Sequence, residues 1–247
     1  ALFFLFSKNE KLRYSAMAIM GIGMVFFGLQ LMSDGFKPLR TIPEFAEWFQ
    51  MFQANTYFGV LKCALVGCIL TMIVQSSSAT LGITMGLAAT GMINFQTAAS
   101  LVLGENIGTT ITAFLASLGA TPNAKRAAYA HILFNTIGVF WITLIAIPFY
   151  FPLVAKLIGH DPDTMVLLAN GEESFPYILA GIAMTHTGFN VVNTLAFLPF
   201  VNLLSRLVTW LVPDKTAGAH QYLPPLEIVR GDTPALGVLQ SEKYILF

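Results

Sequence analysis

The chain has few charged residues, and this scarcity indicates its class. Asp, Glu, Lys and Arg make up 11% of the 247 residues and 55% are hydrophobic, whereas soluble domains carry about 25% charged residues. The formal net charge of +0 provides no basic excess that would attract nucleic acid, so no nucleic-acid partner is expected. The composition instead predicts an all-α membrane protein that crosses the lipid bilayer several times.

Cysteines and catalytic patterns are scarce as well. Cys63 and Cys68 lie five positions apart in one apolar stretch, which predicts small buried hydrophobes rather than a disulfide or a metal site. No nucleophile-elbow pattern surrounds the serines, and no acid is placed to orient His131 or His186 as a base. An enzyme is therefore not expected, and neither is an organic cofactor.

The apolar pattern divides the chain into three parts. Residues 1–14 read as the end of a preceding helix and a charged connector, 15–213 as a membrane domain, and 214–247 as a soluble tail rich in prolines and charges. Within the membrane domain, the predicted elements are a span at 15–33 packed through Gly21, Gly23 and Gly28, an interfacial helix at 43–56, a span at 127–147 that ends at Pro148 and Pro152, and a span at 176–198 that Pro199 kinks into 200–212.

Two segments in the middle of the chain combine apolar residues with short polar clusters. Residues 57–74 end at Gln75-Ser76-Ser77-Ser78 and are followed by the short apolar run 79–91. Residues 94–103 lead to Asn106-Ile107-Gly108, and 109–119 follow. Because bilayer hydrocarbon cannot satisfy polar groups, we expect two interrupted helices that line a cavity, which is typical of a transport site.

The polar residues of these clusters suit an oxyanion together with sodium. Free N–H groups at the start of a half-helix favour an anion, and carbonyl, hydroxyl and amide oxygens favour a hard cation. Glu105 is either a cation ligand or proton-sensitive group, or a side chain that reaches water at a helix end. His131 with Asn135, and His186 with Asn190, share one helix face each; they either bond between packed helices or lie beside the site.

The same residues resemble a known family. The stretches Gln75-Ser76-Ser77-Ser78-Ala79-Thr80 and Gly104-Glu105-Asn106-Ile107-Gly108-Thr109-Thr110-Ile111-Thr112, with those around His131 and His186, resemble the type II sodium/phosphate cotransporter family, including its bacterial members. The resemblance implies sodium-coupled symport of inorganic phosphate by alternating access in the bacterial inner membrane.

Residue roles follow from this resemblance together with the chemistry above. The expected phosphate ligands are Ser76, Ser77, Ser78, Asn106, Thr109 and Thr110; the expected sodium ligands are Gln75, Ser77, Thr80, Asn106, Thr109 and Thr112; possible supporting residues are Glu105, His131, Asn135, His186 and Asn190. Sodium is the only metal expected, as the coupling ion.

The chain departs from the family pattern in one respect that bears on its partners. The family carries the Gln-Ser-Ser-Ser motif twice, in two inverted repeats, and this chain carries it once. It most resembles the second repeat, so the expected partner is a second copy or a missing first repeat. The tail resembles a connector to a PhoU-like helical domain. A regulatory membrane module without transport, and a passive anion channel, are the alternative functions.

Overall fold

A computed structural model describes residues 6, 9–36, 38, 42, 53–169 and 171–214. Its helices, in chain order, are α1 (Glu10–Phe36), α2 (Tyr57–Val74), α3 (Ser77–Ala89), α4 (Phe95–Ser117), α5 (Pro122–Ile145), α6 (Phe151–Ile158), α7 (Ile178–Phe197) and α8 (Val201–Leu211). A π-helical turn (Ala146–Tyr150) joins α5 to α6, and a 3-10 turn (Leu198–Phe200) joins α7 to α8. Strands β1 (Val166–Leu167) and β2 (Glu173–Ser174) pair antiparallel, with Val166 opposite Ser174.

The described helices confirm an all-α protein that crosses the membrane several times. Five segments are long and apolar enough to span a bilayer: Glu10–Met32, Tyr57–Val74, Phe95–Ser117, Pro122–Ile158 and Ile178–Leu211. The 13 residues of α3 extend only about 20 Å, less than the ~30 Å hydrocarbon core. This helix is therefore too short to cross the membrane by itself.

Four of the helices begin at a residue whose side chain accepts a hydrogen bond from the first turn. These residues are Thr56 before α2, Ser76 before α3, Asn94 before α4 and Thr121 before α5. Asn94 Oδ1, for example, accepts from Thr97 N at 2.9 Å. Such caps satisfy backbone donors that a helix leaves unpaired at its start. Asp163, in the loop before α7, accepts a further bond from Phe95 N at 2.7 Å.

The predicted break after residue 74 is confirmed. Gln75 has φ 55° and ψ 23°, a left-handed conformation that ends α2, and its N–H donates to Thr71 O at 2.8 Å. Ser76 is extended, and α3 starts at Ser77. Two residues therefore suffice to separate the helices.

The second predicted break, at residues 106–108, is wrong, because α4 is continuous. Its polar side chains bond to carbonyl oxygens of their own helix: Asn106 Nδ2 donates to Val102 O at 3.0 Å, and Thr109 Oγ1 donates to Glu105 O at 2.8 Å. These bonds satisfy the polar groups without a gap in the backbone hydrogen bonds. The predicted segments 94–103 and 109–119 are parts of one helix.

The predicted end of a span at Pro148 and Pro152 is also wrong. The helical path continues through the π-helical turn into α6. A wider turn relieves the clash that a proline ring makes with the preceding turn of a regular helix. The Tyr150 hydroxyl at its end donates to Thr185 O of α7 at 2.6 Å, which joins the two helices.

The outer elements agree with the sequence in part. The kink predicted at Pro199 is confirmed by the 3-10 turn between α7 and α8. The first span is longer than predicted, since α1 begins within the predicted connector. A Cβ added at Gly21, Gly23 or Gly28 would meet no described atom within 4 Å, so the predicted packing there is wrong for the described part of the chain. Residues 43–52 of the interfacial helix and 215–247 of the tail lie outside the described residues.

Helices α2 and α4 approach each other closely, because glycines leave no side chain between their backbones. A Cβ at Gly104 would lie 2.7 Å from Ala64 Cα, and a Cβ at Gly67 would lie 2.8 Å from the carbonyl carbon of Leu101. Gly108 makes a similar approach one turn further along α4. Small residues at membrane helix interfaces allow such backbone contact.

The two cysteines lie in this part of the core, as predicted. Cys63 and Cys68 of α2 are buried and form no disulfide. Cys63 packs in the same apolar cluster as Val60, Ala64 and Leu101. Both therefore act as small apolar side chains in the packing of α2 against its neighbours.

Candidate functional site

A cavity of about 410 Å³ lies where α3, α4, α5 and α7 meet. Its lining consists of Ser77, Ser78, Leu81, Glu105, Asn106, Thr109, His131, Phe134, Asn135, His186 and Asn190. The two polar clusters and both His/Asn pairs thus surround one space, although they are far apart in the sequence. No Lys or Arg is among these described lining residues.

The wall formed by α3 presents hydrogen-bond donors. Ser77 and Ser78 are the first residues of the helix, where backbone N–H groups have no partner one turn earlier. Ser76 caps the helix by accepting from Ala79 N at 3.3 Å, and its Oγ lies 3.5 Å from Ser78 Oγ. N–H groups, hydroxyls and the positive end of the helix dipole at one place favour an anion.

The wall formed by α4 presents oxygens and one carboxylate. Glu105 lies near the middle of the helix, is only 3% exposed, and accepts a hydrogen bond from Thr84 Oγ1 of α3 at 2.8 Å. The hydroxyl hydrogen of Thr109 and the amide hydrogen of Asn106 point to backbone carbonyls of α4. The alternative in which Glu105 reaches water at a helix end is wrong.

Helices α5 and α7 form the remaining side of the cavity and carry the two His/Asn pairs. Asn135 Nδ2 donates to His131 O at 3.1 Å on α5, and Asn190 Nδ2 donates to His186 O at 2.8 Å on α7. Asn190 Nδ2 also lies 3.3 Å from Asn106 Oδ1, within hydrogen-bond distance. This bond links α7 to α4 at the cavity. Both His/Asn pairs therefore lie beside the polar clusters, and Asn190 in addition forms a bond between packed helices.

Several predicted ligands do not line the cavity. Gln75 is exposed at the end of α2, and Ser76 acts as a helix cap. Thr80 is buried and donates to Ser76 O at 3.0 Å, Thr110 is buried and donates to Ile107 O at 2.7 Å, and exposed Thr112 donates to Thr109 O at 2.9 Å. Their roles as ligands stay predictions.

The sequence reasoning missed three residues at this site. Leu81 and Phe134 line the cavity and make part of its surface apolar. Thr84, one turn after Thr80 on α3, holds Glu105 in place. The apolar lining carries no sequence signal of its own, but Thr84 lies at a four-residue spacing from Thr80, which places both on one helix face.

Together, these observations define a multi-pass α-helical membrane protein with a polar cavity between its helices. Residues 39–155 match the sequence model of the Na+/Pi-cotransporter family. This match supports the family that the paired motifs resemble.

The chain is also similar to individual curated proteins. The chain is 32% identical to the "Uncharacterized protein YqeW" of Bacillus subtilis (strain 168) over 87% of this chain and 62% of the relative. It is 28% identical to the "Putative inorganic phosphate export protein YjbB" of Escherichia coli (strain K12) over 99% of this chain and 41% of the relative. "Sodium-dependent phosphate transport protein 2B" of Homo sapiens is 44% identical over 79 residues, 30% of this chain and 11% of the relative.

The chain spans 62% of the length of the Bacillus subtilis relative and 41% of that of the Escherichia coli relative. No solved structure matches the chain.

Proposed function

We propose that the protein binds inorganic phosphate in the cavity between α3, α4, α5 and α7 and takes part in its sodium-coupled symport by alternating access. The observation that carries the proposal is the meeting of the serine end of α3 with the Asn106 and Thr109 wall of α4 around one cavity. The match of residues 39–155 to the Na+/Pi-cotransporter family model supports phosphate as the anion and sodium as the coupling ion. The bacterial relatives support a place in the inner membrane.

In this proposal the two chemical faces have separate roles. Ser77 and Ser78, with the free N–H groups at the start of α3, hold the phosphate oxygens. Asn106 and Thr109 contribute oxygens to a sodium ion, since their hydrogens are already donated to α4 carbonyls. Because no Lys or Arg lines the described cavity, a cation must accompany the dianion to lower the cost of its burial.

The working unit contains a second copy of this chain or a first repeat. The chain spans 62% of one bacterial relative and 41% of another, and the family pattern has two motif-bearing repeats. Only about 6% of the residues in the apolar part of α1 are buried. The apolar surface of α1 can therefore contact a partner or lipid. We also propose that a PhoU-like domain is a partner of the tail.

Counterflow of radiolabelled phosphate into proteoliposomes tests the proposal. We expect exchange that requires sodium and is lost in the double variant Ser77→Ala, Ser78→Ala, because each lost bond to a charged ligand weakens affinity roughly tenfold or more. Ser205→Ala on α8, away from the cavity, is the matched control and should exchange normally. Flux without cation dependence would indicate an anion channel, and phosphate binding without flux would indicate a regulatory module.

A further inference from the structure

Glu105 is the acidic residue among the described residues that line the cavity, so it carries a negative charge when ionised. It lies near the middle of α4, a span in which most residues are buried, and its own side chain is only 3% exposed. Its Oε1 accepts from Thr84 Oγ1 at 2.8 Å, and the side chain lines the cavity. An acid at such a place is expensive to keep in a membrane domain, and buried acids of this kind mark ion sites.

The surroundings of Glu105 provide no permanent positive charge. The described groups facing the cavity that can titrate are His131 on α5 and His186 on α7, and α3 contributes only Ser77, Ser78 and Leu81. A buried carboxylate without a cationic partner is costly, because desolvation is not offset by Coulomb attraction. A cation bound in the cavity would provide this offset.

The neighbouring atoms suit sodium. Thr109 Oγ1 and Asn106 Nδ2 donate to α4 carbonyls, and Asn106 Oδ1 accepts from Asn190 Nδ2, so each side-chain oxygen keeps a lone pair for a ligand. Thr84 orients the carboxylate from α3. Carboxylate, hydroxyl and amide oxygens are the ligands of hard cations.

We propose that the Glu105 carboxylate anchors a sodium subsite on the α4 wall of the cavity, distinct from the serine wall of α3. The subsite rests on the proposed function only for its coupling to phosphate, since sodium binding can be measured alone. Sodium at Glu105 removes a negative charge that would otherwise repel an anion in the same cavity. Cation and anion therefore strengthen each other's binding by the same factor.

Sodium titration of the apparent unfolding midpoint, without phosphate, tests the subsite. A ligand that binds the native state raises the midpoint with its concentration, and choline chloride controls for ionic strength. We expect a sodium-specific rise in the wild type and a sodium affinity at least tenfold weaker in Glu105→Gln, which keeps the size and loses the charge. Glu173→Gln, in the exposed hairpin, is the matched control and should respond as the wild type does.

A second measurement tests the coupling to phosphate. By isothermal titration, phosphate affinity should be about 5- to 150-fold higher in sodium than in choline for the wild type, and this ratio should fall towards one in Glu105→Gln. Sodium binding without phosphate binding would support the subsite and contradict the proposed function, so the two fail separately.

Three results would overturn the subsite. One is a wild-type sodium response in Glu105→Gln. Another is a wild-type midpoint that responds to pH but not to sodium, which would place a proton at the carboxyl. If Glu105→Gln does not fold, Thr84→Val replaces it, because losing the hydroxyl removes the bond that orients the carboxylate while the charge stays, so sodium affinity should fall. The third result that would overturn the subsite is a sodium affinity in Thr84→Val equal to that of the wild type.

Discussion

Replacing Gly104 by alanine should loosen the packing of α4 against α2. The added Cβ would lie 2.7 Å from Ala64 Cα, although real Cβ atoms essentially never come closer than 3.0 Å to another heavy atom. It would be closer still to the Ala64 carbonyl oxygen. The atoms it meets are backbone, so no side chain can rotate away and the helices must separate. Overpacking of this kind typically costs about 1–3 kcal/mol.

The size of the expected effect can be converted into a temperature. For chains of this size, each kcal/mol lowers the unfolding midpoint by roughly 2–4 °C. We therefore expect Gly104→Ala to unfold roughly 2–12 °C below the wild type in detergent micelles, measured by tryptophan fluorescence or by the size-exclusion peak that remains after heating. Because Glu105 is the next residue, the shift of α4 should weaken sodium binding in the same variant.

Gly23→Ala on α1 is the matched control. A Cβ there would meet no described atom within 4 Å, and alanine is a better helix former than glycine by up to about 1 kcal/mol. Its midpoint should equal or exceed that of the wild type. If Gly104→Ala is as stable as Gly23→Ala, the close contact between α2 and α4 does not exist as described, and the reasoning fails.

Three further predictions follow from the same structure. Asn193→Ala should lower the midpoint by an amount corresponding to about 1–3 kcal/mol and change the fluorescence of Trp141, because Asn193 is fully buried and accepts from Trp141 Nε1 at 3.1 Å. Burial raises the pKa of Asp163 in the folded protein above its value in the unfolded chain. The neutral carboxyl therefore stabilises the fold fully below the pKa of the unfolded chain, and this stabilisation is lost as the pH rises through the pKa of the folded protein. The midpoint of Asp163→Asn relative to the wild type should therefore rise as the pH rises above about 4, the ordinary pKa of an aspartate, and a difference that does not change with pH would contradict this burial effect. Lys62→Gln should leave phosphate affinity unchanged in isothermal titration, since Lys62 does not line the cavity, and a tenfold loss would place a cationic ligand there.

Much of the fold could be predicted because hydrophobic length and helix-breaking chemistry are local. The break at Gln75 was visible because a polar run interrupts an apolar one, and Ser76 is a good cap residue. The same argument failed at Asn106, where the polarity is equal but the side chains bond within their own helix. Sequence shows that a polar group needs a partner, but the partner itself depends on the backbone around it.

The sequence predicts which kinds of residue form the candidate site, but it predicts less well which individual residues line the cavity. The His131 and His186 stretches could be recognised by their spacing, yet only the packing of α5 and α7 against α4 places both at one cavity. Glu105 was left with two interpretations, because its depth in α4 depends on where that helix begins and ends. Thr80 and Thr110 have the same chemistry as the lining residues but face the protein interior, which the sequence does not reveal.

The π-helical turn between α5 and α6 has a consequence for insertions and deletions. A turn of this kind holds one residue more than a regular helical turn, so a deletion within residues 146–150 could restore an ordinary helix. Because the wide turn makes one revolution with that extra residue, such a deletion would leave the later residues facing the same way, whereas one inserted residue would rotate them by about 100° around the helix axis. After such an insertion Phe151 and Val154, both buried, would leave the core, and Tyr150 would lose its bond to Thr185. This segment should therefore tolerate the loss of a residue better than the gain of one.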